Sequence, residues 1–139
     1  MNSQSIELDR IKEDLPLPKI VRKSFRVPVE DEKNIWVRIN DTRYSLYDIC
    51  LMGMGITVKD SLPFFMDQDL LNCEFHYFDI TVKDLHGRII HVSVTLDQGW
   101  KYGIQWTGLD KDSSDQLSAI VNKLKTQLME DHQNSLNDI

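Results

Sequence analysis

The sequence is short of the residues that covalent chemistry depends on. Two cysteines, Cys50 and Cys73, stand in 139 residues. They are too few and too far apart for a disulfide framework, a C-x-x-C pair or a metal site, so reduced thiols are expected. No apolar run approaches the roughly 20 residues of a transmembrane helix. Residues 1–14 alternate charges and lack an apolar core, so they do not read as a signal peptide. The expectation is a soluble cytoplasmic protein with no membrane attachment. Positive charge is also in deficit: sixteen Lys+Arg against twenty-two Asp+Glu give −6 at pH 7. That balance disfavours a nucleic-acid polymer as partner, and any anionic ligand must be met by a local basic cluster. There is no G-x-G-x-x-G, no P-loop and no G-x-S-x-G; Gly53 and Gly55 are not followed by Lys-Ser or Lys-Thr. His76, His86, His91 and His132 show no ligand spacing, and Cys73 and His76 at i and i+3 would point to opposite faces of a strand. No metal, no cofactor and no enzymatic constellation is expected.

What is present suits one globular domain. Apolar residues make up 41% and charged residues 27%, enough for a core in a chain of this length. Residues 1–18 form a polar N-terminal segment. Leu8, Ile11 and Leu15 suit one short amphipathic helix there, and Leu15-Pro16-Leu17-Pro18 ends it. From Val27 the period becomes two. Ile35, Val37 and Ile39 alternate with Trp36, Arg38 and Asn40; Asn40-Asp41 reads as a turn, and Tyr44 to Tyr47 as the returning strand. Ile56–Val58 is another apolar stretch, and 60–69 is a loop containing Pro63. Phe75 to Val82 reads as a strand with Phe78, Ile80 and Val82 on one face, followed by a turn at Leu85-His86-Gly87. Ile90, Val92, Val94 and Leu96 then alternate with His91, Ser93 and Thr95. Asp97-Gln98-Gly99 turns the chain into Trp100–Trp106. Six or seven short strands with hairpin turns predict an antiparallel barrel or sandwich. After Gly108 the period is helical: Ser113 with Gln116 fits a capping box, and Leu117, Ile120, Val121, Leu124 and Leu128 form one apolar stripe. The segment 131–139 reads as a disordered tail.

Two constellations carry chemistry. Lys19, Arg22, Lys23 and Arg26 make the one strongly basic stretch in an acidic chain. Arg22 and Arg26, four apart, share a side in a strand and in a helix, and two guanidinium forks can grip a phosphate or the O6/N7 edge of a guanine. A solvated basic face is the bland alternative. The second is Asp48-Ile49-Cys50-Leu51-Met52-Gly53. Its carboxylate matches the N1–H and N2–H₂ donors of a guanine, and its glycine lets backbone approach a ligand. Here the bland alternative is a strand end with an acidic residue and a packing glycine.

Taken in this order, the two resemble the ligand motifs of the PilZ domain, the bacterial receptor module for cyclic di-GMP. The family pattern is R-x-x-x-R ahead of the first strand, then [D/N]-x-S-x-x-G. Arg22-Lys23-Ser24-Phe25-Arg26 runs into Val27-Pro28-Val29 as is typical, and Tyr102-Gly103-Ile104-Gln105-Trp106 resembles the family's last strand. The resemblance covers residues 19–130 and implies a six-stranded antiparallel barrel with a C-terminal helix. It implies cyclic di-GMP as ligand, held by Arg22, Arg26, Asp48, Cys50 and Gly53, with Lys23 and Trp100 as accessory residues. Cys50 replaces the family serine with a weaker hydrogen-bonding group, and Met52 stands where the family often has glycine. Val21 stands where an additional arginine goes with two stacked ligands, so one bound molecule is implied. The functional expectation is a receptor that signals to an unidentified protein partner, in a process such as motility or biofilm formation. The alternative is an adaptor that binds proteins without the nucleotide. A small barrel for single-stranded nucleic acid is disfavoured by the −6 charge and the lack of an aromatic-basic stripe.

Overall fold

The computed structural model describes residues 26–97 and 99–137, with side chains as far as Asp131. Its elements are β1 (Val27–Pro28), β2 (Ile35–Ile39), β3 (Thr42–Cys50), β4 (Gly53–Val58), β5 (Asp69–Tyr77), β6 (Ile80–Val94), β7 (Trp100–Thr107) and α1 (Lys111–Asn137). Six strands close into an antiparallel barrel in the order β3-β2-β5-β6-β7-β4, with β4 pairing back onto β3. β1 is a seventh strand on the edge of β3 that β2 leaves free, with Val27 opposite Ile49 and Pro28 opposite Asp48. This is the six-stranded barrel with a C-terminal helix that the sequence predicts. The expected short N-terminal helix and the 1–18 segment lie outside the described residues.

Alternation builds the barrel wall. Ile35, Val37 and Ile39 of β2 are buried while Trp36 and Arg38 lie on the outer face. Asn40 and Asp41 adopt φ of 51° and 70°, the mirror-image two-residue turn whose twist matches a hairpin. The core gathers Val37, Ile49, Met54, Ile56, Phe75, Ile89, Tyr102 and Ile104.

Two slips in that alternation matter for the site. Between Leu46↔Ile56 and Asp48↔Gly55 the β3–β4 register shifts, leaving Tyr47 unpaired with β4. Leu46 is buried before the bulge and Ile49 after it, so inward parity changes from even to odd. Asp48 and Cys50 therefore point to the outer face. β6 does the same against β7: Ile89 pairs with Ile104, His91 with Gly103, and Ile90 is the extra residue. Ile89 faces the core, and His91 faces out. A bulge adds one residue to one strand and so reverses the side-chain alternation beyond it.

Several expectations change. The stretch 75–82 is a hairpin, not one strand: β5 ends at Tyr77, Phe78 takes φ 55°, and β6 starts at Ile80. Phe78 and Ile80 are exposed while Val82 is buried. A tertiary bond holds this turn, since the Phe78 N–H donates to the Asn34 carbonyl at 2.7 Å, so no glycine or asparagine marks it. The expected turn at Leu85-His86-Gly87 is absent, because β6 runs straight through. Gly87 packs instead of turning, and a Cβ there would lie 2.8 Å from Ile104 Cγ2. Ile90, Val94 and Leu96 are exposed: Ile90 is the bulge residue, Val94 ends the strand and Leu96 lies in the turn after it, while Val92 packs against the core. Met54 is buried, whereas Met52 is exposed at the β3–β4 turn.

The helix is capped one turn earlier than expected. Asp110 Oδ1 accepts from the Ser113 N–H at 2.7 Å, so Asp110 and not Ser113 is the N-cap. That bond, with the Ser113 hydroxyl, holds the Asp110 carboxyl below its ordinary pKa. Leu117, Ile120 and Val121 are buried and Leu124 is partly so, while Leu128 is exposed. The helical backbone continues past Asp131 to Asn137, through residues expected as a disordered tail. No proline or glycine interrupts it, and Leu, Met, Glu and Gln sustain a helix.

Candidate ligand-binding site

β1 and β3 bring the two motifs together. Arg26 sits just ahead of β1, and its Nη1 donates to Asp48 Oδ1 at 3.1 Å. The Asp48 side chain is 8% exposed and that of Arg26 42%. A buried carboxylate needs such a partner, because desolvation without one is costly. Pro28 flanks Asp48 on one side and Gly55 on the other. Gly55 makes room for the carboxylate: a Cβ there would lie 2.6 Å from Asp48 Oδ1.

Cys50 lies two residues along the same outer face and is 4% exposed. It is paired with Gly53 across the β3–β4 turn. Gly53 has a structural duty of its own, since a Cβ there would sit 1.9 Å from the Ile104 carbonyl oxygen. Arg22 and Lys23 lie outside the described residues. Trp100 begins β7 half-buried against the core, and it lines neither depression beside Arg26. The other cysteine, Cys73, is buried in the core, which pushes its thiol pKa up to about 11.

Two depressions meet at Arg26. One is an open cleft of about 730 Å³ lined by Arg26, Tyr47, Asp48 and Lys59 and by the acids Glu30, Glu32 and Asp97. The Thr95 hydroxyl, with backbone N–H groups and Lys59, holds the Asp97 carboxyl below its ordinary range. The other, about 60 Å³, is lined by Arg26, Cys50, Met52, Gly53, Ile90, Ile104 and Gln105. Arg26 is the one charged residue in that lining. An anionic ligand meets four carboxylates against Arg26 and Lys59 in the first, and one guanidinium in the second.

The outer face around the smaller depression is built from paired glycines. Gly55 lies opposite Gly103 on β7, and Gly53 opposite Gln105. Lys101 closes one end, its Nζ 3.6 Å from the centre of the Tyr47 ring, a cation–π contact. Sequence reasoning missed Gly103, Gln105 and Lys101 as neighbours of the motif. Nothing in the local pattern announces them, because the pairing of β4 with β7 sets their place.

Comparison with known proteins places the family and the fold. Residues 20–123 match the profile of the PilZ domain. The chain belongs to the PilZ family. PilZ domains are receptor or adaptor modules, not enzymes. The PilZ domain of YcgR from Escherichia coli with c-di-GMP superimposes with TM-score 0.63 at 16% identity, covering 78% of this chain and 95% of that one. The MrkH–c-di-GMP complex of K. pneumonia gives 0.67 at 15%, covering 77% and 53%. The inhibitor of motility MotI/DgrA of Bacillus subtilis gives 0.58 at 12%, covering 69% and 48%. At these identities the shared property is the PilZ fold. The chain spans about half the length of MrkH and MotI. No curated protein sequence matches it significantly.

Proposed function

We propose that this PilZ domain is a cytoplasmic receptor that binds one cyclic di-GMP on the outer face carrying Cys50, Gly53 and Arg26. The observation that carries the reading is the Arg26–Asp48 pair at 3.1 Å. It joins one residue of each motif beside two strand glycines. Asp48 supplies an acceptor for the N–H groups of a guanine edge. Arg26 supplies donors for phosphate or for guanine O6 and N7. Arg22 and Lys23 complete the basic side, and Cys50 takes the place of the family serine. The larger cleft shares Arg26 and Asp48 with this face, and beyond them Glu30, Glu32 and Asp97 make it unfavourable for a phosphodiester. Binding changes loop and surface conformation, and that change is what a protein partner reads.

Calorimetric titration with cyclic di-GMP tests this. Saturable binding at one molecule per chain, lost in Arg26→Ala, is the expected result. Absence of binding by the folded protein overturns it and leaves the adaptor that binds proteins without the nucleotide.

A further inference from the structure

Asp48 is a buried charge whose partner has a second task. Among the described residues, Arg26 is the one side chain that donates to its carboxylate. Yet Arg26 lines both depressions, whereas Asp48 lines only the larger of the two. A guanidinium that turns to grip a ligand in the smaller depression leaves Asp48, 8% exposed, without a counter-charge. A buried carboxylate stripped of its cation is costly. The exchange is favourable only where another cation stands within reach.

Lys59 and Lys101 are the candidates among the described residues. Lys59 shares the larger cleft, but its side chain is 77% exposed and its Nζ faces Asp97 Oδ2 at 3.9 Å. Lys101 stands on β7 two residues before Gly103, the partner of Gly55. A Cβ on Gly55 would lie 2.6 Å from Asp48 Oδ1 and 3.6 Å from Lys101 Cε. The end of the lysine stem and the carboxylate thus share the space that this glycine leaves. The Lys101 ammonium itself rests 3.6 Å from the centre of the Tyr47 ring, on a residue that is exposed. A cation–π contact at an exposed site is weak and readily given up.

We infer that Lys101 is a positioning residue that takes over Asp48 when Arg26 turns to the ligand. Its ammonium leaves the Tyr47 ring and pairs with the carboxylate. Asp48 then stays ionised and in place while Arg26 is free for phosphate or a guanine edge. A carboxylate has lone pairs for both the ammonium and a guanine N–H. Lys101 acts on Asp48 and not on the ligand. The inference rests on the receptor reading above, but the handover is a property of three side chains and can be read without ligand.

A double-mutant cycle on the ligand-free protein tests the handover. Lys101→Met alone should change the melting temperature little, because Arg26 still holds Asp48 and methionine keeps the bulk of the stem. Arg26→Ala combined with Lys101→Met should melt about 3 °C or more below the sum of the two single effects, because neither cation is left. Adding Asp48→Asn should restore that loss; a double variant that fails to fold while the triple variant folds supports the handover equally. Calorimetric titration with cyclic di-GMP should show roughly tenfold weaker binding in Lys101→Met and near wild-type binding in Lys101→Arg. Additive melting effects, a loss that Asp48→Asn does not restore, or wild-type affinity in Lys101→Met overturns the handover and leaves the receptor reading standing. No binding by the wild type, with coupled melting effects, overturns the receptor reading and leaves Lys101 as the reserve partner of Asp48.

Discussion

The two depressions that share Arg26 differ in everything that governs recognition of an anion. One is twelve times the volume of the other, about 730 against 60 Å³. It is also the acidic one, carrying Glu30, Glu32, Asp48 and Asp97. The smaller one has Arg26 as its one charged residue and includes Gly53. Volume would select the first; charge favours the second. A phosphodiester ligand responds to the sign of the local field and to hydrogen-bond donors. A small depression beside an arginine can therefore suit it better than a wide cleft whose carboxylates outnumber its cations.

Breaking the shared residue has the largest expected effect. Arg26→Ala removes a charge-assisted donor from the ligand and should cost roughly 10- to 100-fold in affinity for cyclic di-GMP. It also leaves the Asp48 carboxylate buried without its partner. Because Arg26 is itself 42% exposed, the stability cost should be only about 1 kcal/mol, read as a small drop in melting temperature. Wild-type affinity in this variant would place the ligand elsewhere.

Gly53→Ala probes the floor at its most crowded point. The new Cβ runs into the Ile104 carbonyl, so thermal melting of the ligand-free protein should show a loss of about 1–3 kcal/mol. An unchanged melt would mean that the β4–β7 contact is looser than its geometry implies.

Cys50→Ser comes next. A hydroxyl in place of the thiol should tighten binding two- to tenfold, from a neutral hydrogen bond worth about 0.5–1.5 kcal/mol. If Cys50 is only a small buried hydrophobe, serine should instead cost about 1–3 kcal/mol of stability with no gain in affinity. Measuring the melt and the affinity on one sample separates these outcomes.

The smallest effects belong to the acidic cleft. Glu30→Gln and Asp97→Asn should each change cyclic di-GMP affinity by less than about twofold, as expected of screened charges outside the contact. A marked gain on neutralising either would bring the cleft into the binding site. For Asp97 the sign is defined. Its folded pKa is depressed, so the interaction contributes stability above the ordinary carboxylate range and loses it as the pH falls through the folded value. Acid titration should show the wild type's stability advantage over Asp97→Asn at neutral pH and its disappearance as the pH falls below about 4.

The sequence and the structure agree where local chemistry and long-range pairing point the same way. Asn40-Asp41 is a turn in both, because those residues tolerate positive φ. Arg26, Asp48, Cys50 and Gly53 were legible as a set only through their resemblance to the PilZ motifs, which also implied one barrel. The sequence could not show that a bulge at Tyr47 aims Asp48 and Cys50 outward. Nor could it show that β7 and β6 bring Gly103 and His91 level with them. The Phe78 turn was hidden by its composition, since an aromatic residue at positive φ is held there by a bond to Asn34 and not by its own preference. The run from Ile90 to Leu96 read as one even face, but Ile90 is a bulge residue and the strand ends at Val94, which leaves Val92 alone of the four against the core.

That added residue on β3 has a consequence for how this site can change over evolutionary time. Tyr47 contributes its presence in the count more than its ring. Many side chains could occupy an exposed bulge position, but removing the residue would shift every position after it to the opposite face. Asp48 and Cys50 would then enter the barrel, and Ile49 would leave it. Substitutions can therefore drift through this turn of the chain while insertions and deletions cannot. Related sequences that keep the receptor face should hold the spacing from Leu46 to Gly53 fixed even where the letters between them differ.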